Sequence, residues 1–94
     1  MRIEEILWLE PIVEKLWRKH RVDTDEVEEV LEGRPKIRFI EKGHRPDENV
    51  YAALGRTEAG RYLCVFFVHK ADKRALIISA RDMDSAERDR YGRS

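Results

Sequence analysis

The chain has 94 residues, 41% of them apolar and 40% charged, with 19 basic and 19 acidic residues and a formal net charge of zero. That size and mixture suit one small folded domain with a densely charged surface, and argue against a two-domain chain, a disordered chain and a large buried active site. Neutrality also argues against a protein that grips nucleic acid by net charge alone.

The zero conceals a division along the chain. Residues 1–32 hold ten acidic and five basic residues, whereas residues 33–94 hold nine and fourteen, so folding can set a basic face beside an acidic one. No run approaches the roughly 18 apolar residues of a membrane-spanning helix. The start MRIEEILWLEP places Glu4 and Glu5 where a secretory leader is basic, so a cytoplasmic protein with no membrane partner is expected. Cys64, the only cysteine, sits inside the run YLCVFFV and reads as core filling rather than half of a disulfide; no metal or cofactor is expected, because zinc-ligand spacing and phosphate-loop motifs are missing.

In chain order, IEEILWL (3–9) is a first strand, with Ile6 and Trp8 alternating. Pro11 suits the first turn of a helix, and Ile12, Val13, Leu16, Trp17 and His20 then fall on one stripe that is expected to face the core. In VDTDEVEEVL, Asp23 caps a second helix over 24–32, Glu26 completes the capping box, Val22 and Val27 form a hydrophobic staple, and Gly33 with Pro35 ends it.

Beyond Pro35 the pattern turns extended: KIRFIE, a polar loop EKGHRPDEN, VYAALGR, RYLCVFFVH and RALIISAR are four strands. TEAG makes a tight turn with Gly60 at positive φ, and KADK the next connection. Asp84 and Glu87 repeat the cap spacing and open a helix that reaches Tyr91. The order β-α-α-β-β-β-β-α implies a single α+β domain, an antiparallel sheet with helices on one face and the other partly open. Strict alternation puts Arg81 on one face with Ile77 and Ser79, and Arg56 on one face with Leu54 and Ala52. His44 and Arg45 read as solvated loop residues, and His69 as the exit of its strand to water.

Trp8, Lys19-His20, the capped second helix, Gly55-Arg56 at a strand end, Ile77-Ile78-Ser79-Ala80-Arg81, and Glu87-Arg88 followed by Tyr91 together resemble BrnT-type toxins over residues 6 to 91. The ordered pair IISAR plus ERxxY is the most specific part. The resemblance implies a RelE-like fold, a metal-independent ribonuclease that arrests translation, and a BrnA-like ribbon-helix-helix antitoxin that neutralises it and carries the complex to operator DNA.

Cleaving RNA without a metal requires a proton acceptor for the ribose 2′-hydroxyl, a proton donor, and cations that stabilise the phosphorane. Arginine suits the last task because its planar fork grips phosphate oxygens in pairs and keeps its charge. Arg81 and Arg88 lead as catalytic candidates, with Arg56 next as an RNA contact. His20 titrates near neutrality and matches the family's Lys-His pair, with Lys19 beside it as a phosphate contact. Tyr91 can donate a proton or stack on a base. Each has a structural counterpart: His20 closing an apolar stripe, Tyr91 packing on the sheet, Arg81 bridging the last helix to the sheet, and Arg88 in a surface ion pair. For Glu87 helix capping is the preferred role.

The chain departs from the family pattern at Leu9, Ile12 and Leu16, where Asp, Lys and Asn are common, at Arg21, where glycine is usual, and at Leu76, where arginine is frequent. These replacements keep a second reading open, a toxin-derived interaction module with weak or no catalysis, or a homodimer built on the apolar face of the first helix.

Overall fold

In the computed structural model, which describes residues 1–93, the chain forms β1 (Glu5–Leu7), α1 (Glu10–His20), α2 (Thr24–Glu32), β2 (Lys36–Glu41), β3 (Val50–Arg56), β4 (Tyr62–His69), β5 (Arg74–Asp82) and α3 (Ser85–Gly92). The expected α+β order is realised, and the elements with short-range signals fall where those signals place them. Asp23 and Glu26 complete a reciprocal capping box at the start of α2, and Asp84 and Glu87 do the same for α3, each satisfying backbone N–H groups that a helix start leaves without partners.

The five strands form one sheet in the order β1-β5-β4-β3-β2. β2 to β5 are antiparallel, but β1 runs parallel to β5, pairing Ile6 with Ala75. No hairpin ties β1 to its neighbour, so its direction is set by tertiary packing, and it is the one parallel member of the otherwise antiparallel sheet.

α1 lies over β5, and α2 over β3 and β4. Between them and the sheet sits the main core, with Leu16, Val27, Val30, Val65, Phe67 and Ile77 each 1% exposed or less. Burying a side chain of this size contributes roughly 1.5–3 kcal/mol. α2 approaches β3 closely because Gly55 has no side chain: a Cβ there would meet Val30 Cγ1 at 2.7 Å. Gly60, at φ 96°, turns the β3–β4 hairpin where an L side chain is strained.

Two expectations about faces change. α1 does not turn its whole apolar set inward: Leu16 is buried, but Trp17 is 52% exposed, with Arg21 5.3 Å above its ring. In β5 a bulge interrupts the alternation, since Phe66 pairs with Ser79 while Phe67 pairs with Ile77. Ile78 is the extra residue, so Ile77 points to the helix-covered core and Ser79 and Arg81 to the opposite face. That opposite face carries a smaller apolar cluster of Ala52, Leu54, Cys64 and Met83, over which α3 packs through Tyr91. The helices therefore lie on both sides of the sheet, two on one face and the short α3 on the other.

Candidate nucleic-acid interface

Alternation along four strands brings one set of side chains to the α3 side. Lys36 and Leu54 are paired in register, as are Arg38 and Ala52, Leu54 and Cys64, Arg56 and Tyr62, and Cys64 and Arg81. The result is a basic rim around aromatic rings. Arg88 stands 4.4 Å from the centre of the Tyr62 ring and Arg56 5.0 Å from it. Tyr91 meets Tyr62 edge to face at 6.0 Å. Arg56, Tyr62, Arg88, Asp89 and Tyr91 line an open cleft of about 610 Å³.

The arginines differ in how their charge is compensated. Among the described residues neither Arg56 nor Arg88 forms an ion pair; Arg56 donates from Nε to the Gly60 carbonyl at 3.3 Å. Arg81 instead forms a two-pronged pair with Glu87, at 2.7 and 2.9 Å, with its guanidinium 5.4 Å from the Phe66 ring centre. The same carboxylate accepts from the Asp84 backbone N–H at 2.9 Å. Those donors hold the Glu87 carboxyl below its usual range, Arg81 foremost. Glu87 thus caps α3 and fastens it to the sheet. At the other end of α3, Lys36 Nζ donates to the carbonyls of Arg90 and Arg93 and stands 5.7 Å from the Tyr91 ring.

Cys64 lies beneath this face, 1% exposed. Burial, reinforced by the Glu87 carboxylate, pushes its thiol up to about 12, so it stays protonated and poorly nucleophilic near neutrality.

His20 and Lys19 are placed elsewhere. They end α1 on the helix-covered side, where Arg61 donates to the carbonyls of His20 and Arg21 at 2.8 and 2.7 Å. Arg61 also binds Asp82 at 2.8 Å and Glu26 at 3.2 Å. Its donation holds the Asp82 carboxyl below the usual range, with the nearby His20 adding to the effect. Among the described residues no hydrogen bond or ring contact links His20 or Lys19 to the cleft. The structure therefore gathers Arg56, Arg81, Arg88 and Tyr91, and sets the Lys-His pair apart.

Sequence reasoning passed over Tyr62, the ring at the centre of the cleft, and the Arg61 node. The signal for the first was present: Tyr62, Cys64 and Phe66 alternate with Leu63, Val65 and Phe67, so both faces of β4 must be covered.

The sequence model of the family described as the ribonuclease toxin BrnT of type II toxin-antitoxin systems matches residues 8–87. This chain belongs to the BrnT family. Its fold is similar to that of the Brucella abortus ribonuclease toxin BrnT in a crystal structure, with a TM-score of 0.61 and 22% identity over 86% of this chain and 97% of that one. A search of curated protein sequences finds no match. Membership of a type II family brings with it a protein antitoxin as partner. The BrnT match ends at Glu87, the residue that couples Arg81 to α3. No helix among the described residues is long and apolar enough to cross a membrane.

Proposed function

We propose that the α3-side cleft binds single-stranded RNA and that the chain cleaves it without a metal, arresting translation in the cytoplasm until a BrnA-like ribbon-helix-helix antitoxin neutralises it and recruits the complex to operator DNA. One observation carries the reading. Two guanidiniums, Arg56 and Arg88, are held over a single Tyr62 ring and neither is in an ion pair among the described residues, an arrangement that favours an anionic ligand.

In this reading Arg56 and Arg88 take the phosphate, and the Tyr62 ring they cover supports both guanidiniums. Asp89, the acidic side chain lining the cleft, accepts the 2′-hydroxyl proton as the 2′-oxygen attacks phosphorus. Tyr91 returns a proton to the departing 5′-oxygen, leaving a cyclic phosphate and a 5′-hydroxyl. Arg81, engaged by Glu87, positions the helix that carries Arg88 and Tyr91. Stabilisation of the charge that develops on the phosphorane is assigned to Arg56 and Arg88. His20 closes α1, and Lys19 is a solvated cation.

The test is cleavage of a labelled single-stranded RNA by the purified chain in the presence of a chelator. Arg88→Ala is expected to slow cleavage by about 10²–10³-fold, the usual cost of one preorganised charge-stabilising group. Intact RNA with the wild type, or undiminished cleavage by Arg88→Ala, overturns the proposal.

The exposure of Leu9 and Trp17, at 49% and 52%, supports a second reading in which copies of the chain also pair through α1. Sedimentation would then show a dimer that Trp17→Asp dissociates, and a monomer at all concentrations would remove it.

A further inference from the structure

α3 has eight residues and none of them is buried. A helix this short is marginal by itself, so contacts from elsewhere must hold it. Its first turn is held twice, by the Asp84–Glu87 capping box and by the pair between Glu87 and Arg81. Its last turn leaves carbonyls without partners inside the helix. The cation that takes them comes from 54 residues back in the chain: Lys36 Nζ donates to the Arg90 carbonyl at 3.2 Å and also to the Arg93 carbonyl. The negative end of a helix favours a positive charge there.

Lys36 opens β2 and is level with Leu54 on β3, on the α3 face of the sheet. It forms no ion pair among the described residues, so no carboxylate draws its ammonium away from α3. The same ammonium stands 5.7 Å from the centre of the Tyr91 ring, which Tyr62 meets edge to face at 6.0 Å. Tyr91 lines the cleft and Lys36 does not. Arg88, next to Glu87 in sequence, lies 4.4 Å from the Tyr62 ring centre. The two ends of α3 are therefore under different control. The Arg81 pair secures the end nearer Arg88, and Lys36 the end that carries Tyr91.

We propose that Lys36 is a positioning residue of the nuclease, which caps the free end of α3 and holds the Tyr91 ring so that its hydroxyl stays within reach of the departing 5′-oxygen. This rests on the reading above, in which Tyr91 supplies that proton. Lys36 itself touches no RNA. Without its ammonium the last turn of α3 frays and Tyr91 leaves its place, while Arg88 stays over Tyr62. Phosphate binding survives and proton transfer suffers, so Lys36 governs turnover more than affinity.

The experiment compares Lys36→Met, which keeps an apolar stem and removes the donor, with Lys36→Arg, which keeps a donor and the charge. Both are followed in steady-state cleavage of a labelled single-stranded RNA and in magnetic-resonance spectra of the whole chain with labelled tyrosines. Lys36→Met is expected to lower kcat about 10–10²-fold and to leave KM within about twofold of the wild type. Lys36→Arg should bring kcat back to within about threefold. In a Tyr91→Phe background Lys36→Met should cost no further rate, because its effect passes through the Tyr91 hydroxyl. The Tyr91 ring signals should shift in Lys36→Met while those of Tyr51 stay in place, which also shows that the chain is folded. A raised KM at unchanged kcat makes Lys36 a phosphate contact and overturns the proposal, as does a full Lys36→Met penalty on top of Tyr91→Phe. A wild type that cleaves RNA no faster than Lys36→Met sinks the Lys36 role alone; a wild type that leaves RNA intact sinks the nuclease reading and this role with it.

Discussion

On the helix-covered face Arg61 donates to Asp82, to Glu26 and to the carbonyls of His20 and Arg21, whereas on the α3 face Arg56 and Arg88 lie over one ring with no ion-pair partner among the described residues. The same side chain does two different things. Arg61 joins the end of α1, the start of α2 and the end of β5, and its hydrogen-bonding capacity is taken up by the chain itself, so nothing is left for a ligand. Arg56 gives its Nε to the Gly60 carbonyl, and both it and Arg88 line an open cleft. Arg81 falls between the two, its charge answered by Glu87 but its place on the cleft face. Neutralisation within the fold, more than the identity of the residue, decides which cation keeps charge to offer a ligand.

The largest effect that can test this contrast is on the covered face. Phe67→Ala, at a position 0% exposed, should cost about 3–5 kcal/mol in denaturant unfolding, while Arg88→Ala stays within about 0.5 kcal/mol of the wild type. Equal losses for the two would erase the distinction between the faces. Arg61→Ala comes next, at about 2 kcal/mol, because Glu26, Asp82 and two carbonyls lose a charged donor; cleavage by the fraction that remains folded should stay within about twofold of the wild type. Loss of cleavage at undiminished stability would place Arg61 among the functional residues instead.

The acid limb of stability sharpens the contrast further. The Asp82 and Glu87 carboxyls are held below their usual range, by Arg61 and Arg81 respectively. Both bind a proton less readily in the folded chain than in the unfolded one, so their contribution is complete at neutral pH and is lost as pH falls through the acid range. Glu87→Gln should flatten part of that limb and loosen α3, seen as faster exchange of α3 amides with little change around Arg61. An acid limb that stays as steep in Glu87→Gln as in the wild type would show that the Arg81 pair contributes nothing to holding α3. The smallest effect concerns Arg21, which caps α1 in the left-handed region at φ 51°. Arg21→Gly relieves backbone strain but gives up the contact with Trp17, and a net gain of about 0.5 kcal/mol in thermal unfolding is expected.

Much of the fold was legible because it depends on neighbours in sequence. The capping boxes at Asp23 and Asp84 span three residues, and the strands of the second half carry their alternation within themselves. What the sequence left open or misplaced depended on distant partners. The direction of β1 follows from where it docks on β5, the inward and outward faces of α1 from the angle at which it meets the sheet, and the bulge at Ile78 from the pairing of Phe66 and Phe67 across the β4–β5 ladder. The site divides in the same way. Arg56, Arg81, Arg88 and Tyr91 were named from the family resemblance and stand on one face of the sheet, yet the resemblance said nothing of Tyr62 beside them, nor that His20 would end on the covered side with Arg61 bound to its carbonyl.

By itself the sequence determined the elements, their order and the residue types that can hold a phosphate, since helix caps, hydrophobic period and turn residues act over a few positions and need no partner from afar. Only the tertiary structure decided which arginines are neutralised and which face each strand residue takes past the bulge, because strand register and ion pairing join residues tens of positions apart and are fixed only when the sheet closes.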